Sequence, residues 1–219
     1  MREPEPALIT VAAFDFDGTL TRGDTLAPYL RDALGTAGFA LALLKSSPWL
    51  AAYALRLIDN ERAKARLLRA AFAGRRVDEV EAWTERFVAQ RLPALWDRWA
   101  QDELARQRAR GACCVIVSAS PGVYLHRVAR ELGLEAAICT ELEVQDARYT
   151  GRLATRNCHG AQKPLRLDAW LAQRFGASAA VALQAYGDTA GDLPLLRRAE
   201  QAWYRGRPWT DGPAETARR

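Results

Sequence analysis

The sequence predicts an α/β protein with a mostly parallel sheet and a helical insertion after its first strand. Three short apolar runs, at residues 9–14, 112–117 and 181–186, read as buried strands. Helical stretches alternate with the later strands, the pattern of a parallel sheet covered by helices. Ligands of such sheets gather at the carboxyl ends of the strands. This chain places Asp15, Ser118 and Gly187-Asp188 at those ends.

Taken in order, the first strand (9–14) runs straight into Asp15. Residues 22–108 lack strand signals and read as several helices, a cap inserted into a core made of 1–21 and 109–219. Further strands are expected at 136–140 and 202–204, and a hairpin at 141–153 with its turn near Asp146-Ala147. Helices are expected at 122–132 and 163–175, ended by Gly133 and Gly176, and at 192–198. The tail from Arg205 onward, with two glycines and two prolines, is expected to be loosely held.

Within the cap, 33–44 and 46–55 are almost wholly apolar, separated by Lys45, with Pro48 inside the second. Neither reaches the ~18–20 residues needed to span a bilayer. They read as a pair of packed cap helices; the alternative is a hairpin that dips into the membrane interface, where Trp49 and Tyr53 would sit well.

The chain has 219 residues, 49% hydrophobic and 26% charged, which fits a soluble domain with an appended subdomain. Met1 to Pro6 is charged and proline-rich, unlike a signal peptide. Cys113, Cys114, Cys139 and Cys158 show no metal-ligand or redox spacing, and the neighbours Cys113 and Cys114, inside an apolar run, read as buried reduced thiols of a cytoplasmic protein. The net charge is +5, and only three of the 31 basic residues are lysines. That surplus reflects either base composition of the genome or attraction to anions, whether phosphorylated substrates or an acidic membrane surface. No basic cluster is interleaved with aromatics in a recognisable module, which argues against nucleic acid.

Four segments carry chemistry suited to a phosphate monoester, whose charge repels nucleophiles and must be neutralised. In Asp15-Phe16-Asp17-Gly18-Thr19, Gly18 permits the turn that brings both aspartates to one site. Asp15 is then the candidate nucleophile, and Asp17 the candidate acid for the leaving oxygen and base for water. Backbone N–H groups from Asp17 through Gly18 to Thr19 are candidates to cradle the phosphoryl oxygens. Ser118, with the next N–H at Ala119, follows a strand and precedes a helix, so it is a second candidate anion contact. Ser120, before Pro121, reads as an ordinary N-cap.

Lys163 is a lysine kept in a chain that otherwise prefers arginine, and a compact ammonium suits a point contact with phosphate and with Asp15. His159 and Cys158 beside it read as structural. Asp188 and Asp192, four apart on a glycine-rich turn, offer hard oxygen ligands to one cation. With Asp15 and the backbone carbonyl of Asp17 they form a sparse shell suited to Mg²⁺. Arg62, Lys64, Arg66 and Arg69 fall on helical spacing, read either as a solvated face or as a ring of charge for a second phosphate or anionic lipid.

The ordered set resembles the haloacid dehalogenase superfamily of phosphatases, from Phe14 to about Leu196. The resemblance implies a Rossmann-like core and Mg²⁺, and the second aspartate, Asp17, is similar to the phosphotransferase branch. The insertion after the first motif is similar to the phosphoserine phosphatase-like subgroup. That group carries an acidic residue nine positions after the nucleophile to bind the substrate amine, and Asp24 holds that place. It also carries an asparagine where this chain has Gly191. The apolar cap, the Cys-x-Gly-x-x-Lys string from Cys158 to Lys163 and the Asp-Leu-Pro-Leu-Leu ending look more like the phosphatidylglycerophosphatase C branch. The implied substrate is a phosphorylated small molecule or a phospholipid headgroup, the latter met at the inner face of the cytoplasmic membrane. A sugar-phosphate mutase shares the chemistry, and a non-catalytic membrane-binding protein is the alternative outside enzymes.

Overall fold

A computed structural model describes residues 8–210. The charged opening Met1 to Pro6 and the end of the tail lie outside them. The sheet contains β1 (Ile9–Phe14), β2 (Cys113–Pro121), β3 (Ala136–Thr140), β6 (Val181–Gly187), β7 (Gln201–Tyr204) and β8 (Arg207–Trp209). The hairpin expected at 141–153 is β4 (Leu142–Gln145) and β5 (Arg148–Leu153). Its two turn residues, Asp146 and Ala147, both have positive φ, which matches the right-handed twist of the strands. Strand order in the main sheet is β3-β2-β1-β6-β7-β8, parallel except for the β7–β8 pair. The chain therefore steps to one side of β1 and later to the other. That reversal opens a crevice at the carboxyl end of β1, immediately before Asp15.

Successive residues of a strand face opposite ways, so β1 feeds two cores. Ala12 and Phe14 pack with Cys114, Ile116 and the helical insertion. Val11 and Ala13 pack with Val115, Val117 and the faces of α6 (Gln162–Phe175) and α7 (Leu193–Arg198). On the first face Phe14 stacks on its register partner Tyr186 at 4.2 Å, and Tyr186 stacks on Trp203 at 4.7 Å. The ladder ties three adjacent strands together, each pair adding roughly 0.5–1.5 kcal/mol beyond area burial.

The insertion comprises α1 (Leu26–Ala54), α2 (Asn60–Phe72) and α3 (Val77–Gln90), followed by α4 (Arg98–Ala109). The chain enters and leaves it through one paired ribbon: Arg22 N–H donates to Leu95 at 2.8 Å and Asp97 N–H to Leu20 at 3.0 Å. The expected cap boundary at 108 needs correction in one respect. Helix α4 lies past this ribbon and packs on the sheet rather than with α1–α3, because its buried face (Ala100, Glu103, Leu104, Gln107) meets β2 and Tyr186. Helix α5 (Gly122–Glu131) follows β2 directly.

The apolar cap stretches also differ from expectation. The break falls at Gly35 (φ 69°), and the helix then runs unbroken through Lys45 and Pro48. Pro48 cannot donate to Leu44, but the Ser47 hydroxyl donates to that carbonyl at 2.8 Å and so supplies the missing donor. Among the described residues, no helix is long and apolar enough to cross a membrane. Part of the expected loose tail is ordered as well, since β8 pairs with β7. Cys114, Cys139 and Cys158 are buried and unpaired, whereas Cys113 is only partly buried.

One polar knot joins α4 to the sheet: the Tyr186 hydroxyl donates to Glu103 at 2.8 Å, and Gln107 donates to both. Tyr186→Phe keeps the aromatic stack and deletes a buried bond to a charged acceptor, so it should cost about 1–3 kcal/mol in denaturant unfolding. An unchanged midpoint would mean the ladder alone holds this face.

Candidate active site

Each strand of the crevice delivers one piece of the site. After β1 the chain makes one wide turn, Phe16–Leu20, because Gly18 takes φ 79°. A Cβ there would collide with the Asp188 carboxylate, so glycine is needed for both backbone and space. The turn sends Asp15 and Asp17 to different partners. Asp15 is 5% exposed, and its Oδ1 accepts from Lys163 Nζ at 2.6 Å. Lys163, at the start of α6 and 2% exposed, also donates to Asp192.

Asp192 is fully engaged by the turn that carries it. Its Oδ2 accepts from Thr189 N–H at 2.9 Å, from the Thr189 hydroxyl at 2.8 Å and from Asp188 N–H at 3.2 Å. That capping box fixes the β6–α7 turn and holds Asp188 beside Thr19, whose hydroxyl donates to it at 3.4 Å. The carboxylates of Asp15, Asp188 and Asp192 converge, with donor oxygens within 4.8 Å of one another.

The charges explain how these groups titrate. Burial raises the Asp15 carboxyl above its ordinary range despite Lys163. Burial opposes the charge of Lys163, but Asp15 and Asp192 overcome it and its pKa rises. Burial also acts against ionised Asp192, yet Lys163 and the Thr189 groups prevail and hold it below the usual range. Asp188 is pushed up to about 6, by burial first and then by its two anionic neighbours. One ammonium among three carboxylates leaves negative charge uncompensated, and the donors are all hard oxygens. That is the environment a small hard cation fits.

Asp17 lies outside this group. Its Oδ1 accepts from Thr25 N–H at 2.8 Å and the Thr25 hydroxyl at 2.6 Å, and its Oδ2 accepts from the Ser120 hydroxyl. Burial pushes it up to about 6 against the pull of those donors, so a proton on it is available near neutral pH. Ser120 thus holds a carboxylate instead of capping α5, because β2 runs on to Pro121 and carries its side chain into the crevice. Ser118, on the same strand face, is 2% exposed and accepts from Ser120 N–H at 3.3 Å. The β2 extension also places it four residues before the helix rather than at its N-terminus.

Ala119 contributes a carbonyl that accepts from Thr140 at 2.7 Å and from Lys64 Nζ at 2.6 Å. Lys64 therefore leaves the face of Arg62, Arg66 and Arg69, as a two-residue step rotates about 200° around a helix. It reaches the crevice near Asp17, Asp24 and Asp15, and burial lowers its pKa. The rarity of lysine, which singled out Lys163, applied equally to Lys64. Asp24 is exposed, and its Oδ2 accepts from Ala27 N–H at 3.1 Å, capping α1 while its charge acts on Lys64.

Thr25 escaped the sequence reading, and His159, read there as structural, lies beside the charged group. Thr25 is fully buried, and its hydroxyl lies 3.1 Å from that of Tyr124, so Asp17 is braced from the helical insertion and from α5 at once. His159 puts its imidazole into the space that a side chain on Gly191 would need. The ring sits within reach of the charges of Lys163, Asp192, Lys64 and Asp15, and burial lowers its pKa. Nothing in a linear string signals that replacement, since it depends on two loops meeting.

The family model for haloacid dehalogenase-like hydrolases matches residues 12–197. The chain belongs to this family. It is similar to CicA of Caulobacter vibrioides, 35% identical over 212 residues, covering 92% of this chain and 86% of that protein. It is also similar to a probable phosphatase of Mycobacterium tuberculosis, 30% identical over 207 residues, covering 90% and 69%. In fold it is similar to a probable phosphoserine phosphatase of Vibrio cholerae, with TM-score 0.65 and 16% identity, covering 89% of this chain and 55% of that one. This haloacid dehalogenase-like chain is accordingly a phosphatase, a phosphoric monoester hydrolase, with the phosphoserine phosphatase-like fold.

Gly18→Ala should cost about 1–2 kcal/mol through the left-handed backbone alone. It should lower phosphatase activity further than that loss explains, since Asp188 must move. Activity falling only in step with the unfolded fraction would show that Asp188 tolerates displacement.

Proposed function

We propose that this phosphatase works through an aspartyl-phosphate on Asp15, with Mg²⁺ as cofactor and a phospholipid headgroup such as phosphatidylglycerophosphate as substrate. The observation that carries the chemistry is the buried Asp15–Lys163–Asp192 group beside an Asp17 that is held separately by Thr25 and Ser120. An oxygen of Asp15 bonds to phosphorus as the bond to the leaving oxygen breaks, and Asp17 gives that oxygen its proton. Asp17 then takes a proton from the water that attacks the aspartyl-phosphate, and inorganic phosphate leaves. Lys163, Ser118, and the backbone of Gly18, Thr19 and Ala119 bind the phosphoryl oxygens. Asp15, the Asp17 carbonyl, Asp188 and Asp192 hold Mg²⁺, with Asp192 acting mainly through its charge because its oxygens already have partners. When bound, the ion offsets repulsion between the carboxylates and the phosphate dianion.

Substrate choice rests on the helical insertion, which acts as the cap over this crevice. Leu41, Leu44, Tyr53, Leu55 and Leu57 are exposed at its far end, next to Lys45 and Arg56. A cleft of about 570 Å³ runs between α1–α2 and the β4–β5 hairpin, lined by Trp49, Leu153, Arg62, Arg66, Arg69 and Arg152. Exposed apolar side chains and a guanidinium-lined cleft on one insertion suit a phospholipid approached from an anionic surface, with the protein held peripherally. One observation favours a soluble substrate instead. Lys64 reaches the Ala119 carbonyl beside Ser118 and Ser120, and with the exposed Asp24 it offers one charge of each sign to a zwitterion such as phosphoserine.

Asp15→Asn should abolish hydrolysis of an aryl phosphate with Mg²⁺, by at least about a thousandfold. Asp17→Asn should slow turnover about 10²–10⁴-fold and give a burst of alcohol equal to the enzyme as phosphoenzyme accumulates. No turnover with any ester of a broad panel would overturn the reading.

On vesicles containing phosphatidylglycerophosphate, the double change Leu55→Ser, Leu57→Ser should cut the rate about tenfold, which corresponds to roughly 1.4 kcal/mol, and leave aryl phosphate hydrolysis unchanged. A preference for free phosphoserine that is lost in Lys64→Ala would replace the lipid with the small metabolite.

A further inference from the structure

The crevice is not the only place where metal-ligating side chains converge. Cys139 and Glu141 stand two residues apart at the end of β3, and His126 faces them from the adjacent α5. His126 Nε2 lies 2.8 Å from Glu141 Oε1 and 3.9 Å from Cys139 Sγ, and that sulfur lies 3.2 Å from the same oxygen. We propose that these three residues form a binding site for a borderline-soft divalent cation of the Zn²⁺ type, distinct from the carboxylate group of the active site.

Donor spacing supports this assignment. Ligands of a tetrahedral zinc, with bonds near 2.0–2.3 Å, stand roughly 3.3–3.6 Å apart. The observed triangle brackets that range, and reaching it takes shifts of about half an ångström at most. Half of the His126 side chain and a third of that of Glu141 are solvent-exposed, so both have room to adjust. Charge balances as well: one thiolate and one carboxylate neutralise a dication, and imidazole is a neutral ligand. Binding transfers the thiol proton, and any imidazolium proton, to solvent. Burial and Glu141 keep the free thiol protonated, so the ion must displace that proton.

The donor set also separates this site from the crevice. A nitrogen, a sulfur and an oxygen select a borderline cation, whereas the all-oxygen group at Asp15, Asp188 and Asp192 suits a hard one. His126 and Glu141 also line a cavity shared with Gly122, Val123, Arg127 and Arg130, which leaves room for water as a fourth ligand, as in sites with three protein ligands and an open place.

The ligands touch the active-site framework directly. Thr140, between Cys139 and Glu141, donates to the Ala119 carbonyl that Lys64 also grips. Glu141 packs so closely on Gly122 that a Cβ there would collide with its carboxylate. An ion at this site would therefore brace the β2–α5 junction that carries Ser118 and Ser120.

Cobalt titration of the metal-free full chain tests the assignment, with Asp188→Asn as background to remove the oxygen site. One equivalent of Co²⁺ should produce a thiolate-to-cobalt charge-transfer band, which Zn²⁺ then displaces. The band should vanish in Cys139→Ser and weaken more than about tenfold in affinity in His126→Ala, a surface change that leaves the fold intact. Absence of the band, or its persistence at unchanged affinity in both variants, would overturn the proposal.

Discussion

Everything in the crevice depends on one buried ammonium. Lys163 sits between Asp15 and Asp192, all three nearly inaccessible, and without it two carboxylates would face each other in a medium that cannot screen them. Buried ion pairs rarely add net stability, because desolvation offsets their attraction, but removing one partner strands the others at a cost of about 3–5 kcal/mol. The triad is better understood as an orienting device. It aims Asp15 and opposes the burial that raises its carboxyl, and it anchors Asp192, which in turn organises the turn carrying Asp188.

Asp15 and Asp17 show how two neighbouring carboxylates acquire separate properties. Asp15 receives an ammonium, whereas Asp17 receives two hydroxyls and one N–H, with no cation bonded to it. Burial raises both, but an ammonium opposes that shift at Asp15, whereas Asp17, with hydroxyl and N–H partners, is pushed up to about 6, which suits proton transfer. Gly18 makes the division geometrically possible, since an alternating strand alone would point both side chains the same way. Three elements meet on Asp17, namely Thr25 from the start of the insertion, Ser120 from β2 and, through Thr25, Tyr124 from α5. The insertion is thereby tied to Asp17.

Much of this was legible in the chain. The strands at 9–14, 136–140 and 181–186 were readable because short apolar runs ended at polar residues, and the 141–153 hairpin because a turn pair divided alternating residues. Asp15, Lys163, Asp188 and Asp192 were readable as a set because strand ends converge in a parallel sheet, and the structure brings those four together. The helix break at Gly35 was missed because Lys45 reads as the separation between two apolar stretches, whereas the helix continues through it and through Pro48. Helix α4 falls within the stretch 22–108 that lacks strand signals, and only its packing on β2 and Tyr186 separates it from α1–α3.

The sequence by itself determined the reaction class and the carboxylates and lysine that gather at the strand ends, because motif order and strand-end placement are properties of the chain. Only the tertiary structure decided which residues brace them and what approaches them. Thr25, Tyr124, Lys64 and His159 come from segments far from Asp15 in sequence, and their roles depend on helix rotation and loop packing that no linear spacing encodes. The same holds for His126, Cys139 and Glu141, whose spacing carries no metal signature until a helix and a strand end are packed side by side.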